Sequence, residues 1–109
     1  MKPNFDSPLS LDNDNRRVDA IGPLEWEGAT GQCRVAVTIT QIINGATVLA
    51  TGESGNYNSN EPTWDTHADT RNGLQLRPGP AQATGVLTLT DPTRPSIQWT
   101  ETVQLQNGA

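Results

Sequence analysis

The sequence is poor in the residues that most directly indicate chemistry. Its 109 residues include a single cysteine, Cys33, a single histidine, His67, and a single lysine, Lys2. One cysteine excludes an internal disulfide, and its place in the apolar run "CRVAVTI" predicts a small buried side chain. A cysteine or serine nucleophile would have only His67 as its histidine base, and no serine lies in a nucleophile-elbow motif. Phosphate-binding and dinucleotide-binding glycine motifs are also missing.

Positive charge and long apolar runs are equally scarce. The net charge is −5, and the basic residues are scattered apart from the pair Arg16-Arg17. Nucleic acids and anionic membrane surfaces both require a concentrated positive patch, so we expect neither as a partner. No apolar stretch approaches the length of a membrane-spanning helix. The first residues lack the apolar centre of a secretory signal, so no signal peptide is visible in this chain.

What the sequence does contain is alternation of apolar and polar residues. In "QCRVAVTITQII" (32–43) the apolar residues Cys33, Val35, Val37 and Ile39 alternate with Arg34, Ala36, Thr38 and Thr40, as in a half-buried strand. Asn44-Gly45 follows at once, and this dipeptide between two such runs predicts a β-hairpin with a type I′ turn. No window has the 3.6-residue apolar period of a helix. We therefore expect essentially no helix.

These runs recur at roughly ten-residue spacing and predict an all-β chain of about seven strands. The expected architecture is a two-sheet antiparallel β-sandwich, immunoglobulin-like or fibronectin-III-like in layout only, because the paired cysteines of true immunoglobulin domains are absent. A small β-barrel is the alternative. Residues 1–15 predict an extended N-terminal arm, and residues 16–109 a single β-sandwich domain. Apolar positions in the arm, Phe5, Leu9 and Leu11, would let it dock or pair as an edge strand.

The segment "TWDTHADTR" (63–71) carries the most suggestive polar pattern. In a strand, Asp65, His67 and Asp69 would share one face, and Zn²⁺ accepts both imidazole nitrogen and carboxylate oxygen. The same alternation places Trp64, Thr66 and Ala68 on the other face. The pattern therefore favours an ordinary strand with a solvated outer face, and a metal site at Asp65/His67/Asp69 is the alternative.

Aromatic residues make up only 5% of the chain, and most of them lie in alternating runs. Tyr57 and Asn58 belong to a polar stretch, "GNYNSNEP", of the kind found in binding loops. The three tryptophans, Trp26, Trp64 and Trp99, lie in alternating runs, so we expect them to pack in the core. If one of them is exposed as a stacking surface, Trp64, which follows this polar stretch, is the first candidate. Binding would then use the loops at 53–62 and 71–80.

Glu101 lies in phase with the apolar residues of the last predicted strand. A carboxylate on the inward face needs an arginine or several hydrogen-bond donors. We expect a β-bulge or a sheet edge to turn Glu101 outward. The alternative is a buried ion pair, with Arg34, Arg71 or Arg77 as the partner.

The function that these features favour is non-catalytic. We expect a structural or assembly component, such as a surface, virion or filament subunit, that self-associates or binds a protein through its arm and strand edges. A monomeric module that binds carbohydrate or protein through the two loops is the alternative, and a small metal-binding protein is the third. No enzyme activity and no cofactor are expected. The compartment is left open by the sequence, with an extracellular or virion-surface location favoured.

Overall fold

The described part of the chain is built from β-strands. The computed structural model describes residues 5–6, 8–12, 14–23, 32–55, 57–58, 63–90 and 96–107. The strands are β1 (Leu9–Asp12), β2 (Arg17–Pro23), β3 (Gln32–Ile43), β4 (Ala46–Glu53), β5 (Tyr57–Asn58), β6 (Thr63–Thr70), β7 (Gly79–Leu89) and β8 (Ile97–Asn107). The described residues contain one 3₁₀ turn, Arg71–Gly73, and no α-helix. The prediction of an all-β fold is confirmed.

Seven of the strands form one sheet that closes on itself. The order is β4-β6-β2-β1-β8-β7-β3, and β3 pairs in turn with β4, while the short β5 adds to the other end of β3. The expected two-sheet sandwich is thus replaced by its stated alternative, a small β-barrel. Two seams close it: β1 lies antiparallel to β2 and parallel to β8, and β4 meets β6. No helix in the described residues has the length and apolarity that a bilayer span requires.

The apolar residues of the alternating runs form the inward face of the barrel. Cys33, Val35, Val37 and Ile39 of β3 are all buried, as the pattern predicts. The predicted hairpin is also confirmed, because β3 and β4 pair up to Ile43–Ala46 around a two-residue turn. Both turn residues have positive φ, 53° at Asn44 and 81° at Gly45, which is the backbone conformation that a type I′ turn requires.

The N-terminal segment is part of the barrel wall. Phe5, Leu9 and Leu11 are at most 4% exposed, and Ser10–Asp12 pair with Arg17–Asp19 of β2. On its other side, β1 pairs with β8 through Leu9–Leu105 and the two following residue pairs. The strand therefore joins the second strand of the chain to the last one. Trp26, which the sequence places in an early strand, lies outside the described residues.

Candidate functional site

The strand that carries the single histidine has the two faces predicted for it. Trp64, Thr66 and Ala68 point into the barrel and are buried, while Asp65, His67 and Asp69 are exposed on the outside. Because β6 pairs with β2 from Thr63 to Asp69, each of these outward side chains has a partner across the ladder.

The three outward side chains of β6 face separate neighbours. Asp69 accepts a hydrogen bond of 2.7 Å from Nε of Arg17, and this bond raises the pKa of the Arg17 guanidinium. Nε2 of His67 lies 3.2 Å from Oδ1 of Asp19, and Asp65 faces Ile21. Asp19 Oδ1 accepts no hydrogen bond within the described residues, so its approach to His67 is a contact without hydrogen-bond geometry.

This arrangement does not gather the predicted metal ligands. Within the described ranges, no three histidine, cysteine, aspartate or glutamate side chains are grouped as a metal ion would need. The reason is the register: Asp69, His67 and Asp65 each oppose a different residue of β2, and Asp69 is paired with Arg17. The prediction of a solvated strand face describes these positions better than the metal-site hypothesis does.

The predicted binding residues Tyr57, Asn58 and Trp64 do not form an open surface together. Trp64 is 0% exposed, as expected for a core residue, and the alternative of an exposed stacking surface is wrong for it. Tyr57 is half-buried, and its hydroxyl donates to the carbonyl of Asp65 and accepts from the amide of Asp65 at 2.8 Å. Asn58 is exposed and accepts a hydrogen bond from Gln32. Residues 56 and 59–62 of the predicted loop lie outside the described residues.

The hydroxyl of Tyr57 protects a strand edge. β4 pairs with β6 only at Ala50–Thr70 and Thr51–Asp69, so the stretch of β6 around Asp65 has no partner strand on that side within the described residues. An open edge presents backbone donors and acceptors to other chains. Tyr57 occupies one donor and one acceptor of this edge, a role that no strand-pattern argument would reveal.

Three aromatic rings from distant parts of the chain form a cluster inside the barrel. The Phe5 ring lies 5.4 Å from Trp64 and 5.2 Å from Trp99, and the two tryptophan rings are 6.3 Å apart. Gly85 provides the space, since a Cβ at this position would lie 2.4 Å from the indole ring of Trp99. The cluster ties the N-terminal segment to β6 and β8.

Glu101 completes this attachment. Its Oε2 accepts one hydrogen bond of 2.7 Å from the backbone amide of Phe5 and another of 3.1 Å from the indole nitrogen of Trp99. Both predictions for Glu101 are therefore corrected: it points inward without a bulge, and its partners are two N–H donors and not an arginine. A carboxylate that accepts two N–H bonds meets its need for donors without a counter-ion.

We expect Glu101→Ala to loosen the N-terminal segment. The change leaves the N–H groups of Phe5 and Trp99 without their acceptor, which should lower the free energy of unfolding by about 2 kcal/mol. The backbone amide proton of Phe5 should exchange with solvent measurably faster in a hydrogen-exchange experiment. Glu53→Ala, at an exposed glutamate, is the matched control and should change neither quantity. Equal effects of the two variants would contradict this assignment.

The second predicted loop, 71–80, is held closely against the barrel. Nε2 of Gln41 donates to the carbonyls of Arg77 and Pro80, and Oε1 of Gln41 accepts from the amide of Arg77. Leu76 is 1% exposed, and Leu74 is 45% exposed. The loop is thus an ordered connection that presents one apolar side chain to solvent.

Charge is unevenly distributed over the outer face of the barrel, a feature that the alternation of the sequence does not reveal. The outward positions of β1, β2 and β6 carry Asp12, Arg17, Asp19, Asp65, His67 and Asp69. On the outside of β3, β4, β7 and β8, the charged residues of the described chain are Arg34 and Glu53, both at one end. The remaining outward positions there are mainly Thr and Gln. We call the surface formed by these uncharged outward positions of β3, β4, β7 and β8 the uncharged face.

Comparisons with known proteins give no functional assignment. No family model matches the chain, and no curated protein matches its sequence. Among solved structures, murine CRIg is similar over 100% of both chains, with 12% sequence identity and a TM-score of 0.47. A similarity of this size carries no argument about function.

Proposed function

We propose that this chain is a non-catalytic structural subunit that assembles with copies of itself by exchanging its N-terminal arm. The observation that carries the proposal is the position of β1. This four-residue strand fills a slot between β2 and β8, and the body of the barrel would be open without it. A strand from a neighbouring copy has the same sequence and fits the same slot.

The arm is attached to the slot mainly by buried side chains. Phe5, Leu9 and Leu11 are inserted into the core, and the amide of Asp6 donates to the carbonyl of Ile21. An empty slot would expose apolar core and the edges of two strands, both of which favour association. Exchange between neighbours makes the same contacts and adds a link between subunits, which is a low-cost route to oligomers.

A sharp turn separates the arm from the body. Asp14 and Asn15 both have positive φ, 55° and 62°, and short strained turns of this kind favour strand exchange. Two hydrogen bonds attach this turn to the body. Nε2 of Gln75 donates to the carbonyl of Asp14, and the amide of Leu76 donates to the carbonyl of Asn15. Exchange would open this turn and break both bonds, so Asp14 and Asn15 are the hinge and the exchanged piece ends at Asp12.

A pair of introduced cysteines tests arm exchange directly. Ser10 of the arm lies opposite Asp19 of the body, so Ser10→Cys with Asp19→Cys places two thiols across the β1–β2 ladder. Within one chain, oxidation gives an internal disulfide, whereas in exchanged subunits it joins two chains. We expect covalent dimers or larger species on a non-reducing gel after oxidation of protein that was refolded at high concentration.

The matched control is a cysteine pair on the body side of the turn. Arg17→Cys with Asp69→Cys spans β2 and β6, which remain in one chain whether or not arms exchange. This control should form only internal disulfides. Covalent linkage in both variants, or internal disulfides alone in both, would contradict arm exchange.

The binding-module hypothesis ranks second on the same geometry. Tyr57 and Trp64, the two aromatic residues on which it depends, make their contacts inside the molecule. A surface, virion or filament location is part of the proposal for a structural subunit. The absence of enzyme activity and of a cofactor remains a prediction.

A further inference from the structure

The uncharged face of the barrel contains an ordered row of threonines. The register of three neighbouring ladders aligns one threonine from each of four strands: Thr51 of β4, Thr38 of β3, Thr84 of β7 and Thr100 of β8. All four occupy outward positions, and the hydroxyls of Thr84 and Thr100 lie 3.1 Å apart. Strand spacing sets neighbouring members of the row about 4.8 Å apart.

A second row runs beside the first. It consists of Leu49, Thr40, Gln82 and Thr102, each two residues along its strand from a member of the threonine row. Next to it stands Ile42, which at 75% exposure is the most exposed large apolar side chain of the described residues. Ile42 borders a surface groove of about 440 Å³, lined also by Thr40, Pro80 and Gln82.

We propose that this uncharged face binds the same face of a second copy of the chain. The chemistry of its side chains favours a copy over an unlike partner. Near a two-fold axis each residue meets itself or its neighbour, and a charged residue would then face a like charge. Threonine and glutamine both donate and accept hydrogen bonds, so they can pair with themselves.

The distribution of charge supports the same occupant. The chain carries a net charge of −5, and the repulsion between two acidic copies is smallest when the surfaces in contact carry no charge. Of the described charged groups on the strands, Asp12, Asp19 and Asp65 lie on β1, β2 and β6, on the opposite side of the barrel. Asp69 lies at the border of the uncharged face, opposite Thr51, and is paired there with Arg17. Face-to-face contact therefore keeps the acidic sides of the two copies apart.

The size of the surface sets the expected strength. Four strands at their usual spacing, over the length of the two rows and their neighbours, cover roughly 450 Å². Over both copies this is about 900 Å², below the roughly 1,200 Å² at which stable specific interfaces begin, so we expect weak, concentration-dependent dimers. The exposed Ile42 of each copy would enter the groove of the other, where a single buried apolar side chain can dominate the binding energy.

Two exposed isoleucines provide a matched test. Ile42→Lys places a charge on the uncharged face, and Ile21→Lys places the same charge on the opposite side, where Ile21 is 40% exposed. In sedimentation equilibrium over a wide concentration range, Ile42→Lys should weaken dimerisation at least tenfold. Ile21→Lys should dimerise like the unmodified protein. Thr84→Lys, in the centre of the threonine row, should act like Ile42→Lys.

This face and the arm exchange can fail separately. Interchain disulfides in the variant with cysteines at positions 10 and 19 report exchange alone, and Ile42→Lys in that background should leave them unchanged. The face proposal is overturned if the unmodified protein shows no concentration-dependent dimer, or if Ile42→Lys and Ile21→Lys have the same dimerisation constant. A circular dichroism spectrum identical to that of the unmodified protein establishes that each variant is folded.

Discussion

Gly52→Ala should destabilise the barrel by about 3 kcal/mol, the upper part of the range for an overpacked site. A Cβ at Gly52 would lie 1.9 Å from the carbonyl oxygen of His67 and 3.2 Å from the Cα of Ala68. Both atoms belong to the backbone of β6, so no side-chain rotation can make room. The strands must separate, and β4 and β6 are joined by only two residue pairs.

The size of this effect is testable by urea denaturation and thermal melting. A loss of about 3 kcal/mol lowers the melting temperature of a domain of this size by roughly 15 °C. Gly55→Ala is the matched control, because a Cβ there has no atom within 4 Å. Gly55→Ala should be neutral or slightly stabilising, since alanine restricts the unfolded chain. A neutral Gly52→Ala would mean that β4 and β6 are not in the close contact described.

The closure that Gly52 permits could not be predicted from the sequence. Alternation along β3 and β6 was enough to predict which side chains are buried, because it depends only on the two-residue period of a strand. Whether two sheets stay separate or join depends on contacts between distant strands. The β1–β8 seam pairs Leu9 with Leu105, and no local pattern encodes such a partner.

For the candidate sites too, the sequence predicts the face on which a side chain lies but not the groups that it contacts. The sequence predicted that Asp65, His67 and Asp69 share a face, and they do, but which group each of them meets depends on the register with β2. Alternation placed Glu101 in phase with the inward residues, but the expectation that a bulge or an edge turns it outward was wrong. Its partners, an indole and the amide of Phe5, belong to no residue class that a search for counter-ions would consider.

The threonine row illustrates a property that arises only in the folded chain. Thr38, Thr51, Thr84 and Thr100 are unremarkable where they stand in the sequence, each within its own polar and apolar alternation. Three separate ladder registers bring them into line, and a slip of one residue in any ladder would turn one strand's residues to the other face. A surface of this kind is therefore a consequence of pairing and not of composition.

Trp64→Ala should remove about 4 kcal/mol of stability, a large part of the total for a small domain. Trp64 is the largest fully buried side chain of the described residues, and its ring contacts the rings of Phe5 and Trp99. Truncation leaves a cavity between the N-terminal segment and β8. It also removes edge-to-face ring contacts, each of which adds to the effect of burial.

Trp64→Ala should lower the local stability of the N-terminal arm more than that of the rest of the barrel, because Phe5 packs directly against Trp64. In hydrogen exchange, the amides of β1 should lose protection to a greater extent than those of the β3–β4 hairpin, which lies outside the aromatic cluster. Trp64→Phe should have a smaller effect, since it keeps an aromatic ring and removes an indole N–H that has no hydrogen-bond partner in the described residues. Leu74→Ala, at a side chain that is 45% exposed, is the control for loss of an apolar group without a cavity. If Trp64→Ala and Leu74→Ala have similar melting temperatures, the aromatic cluster does not hold the arm in the barrel.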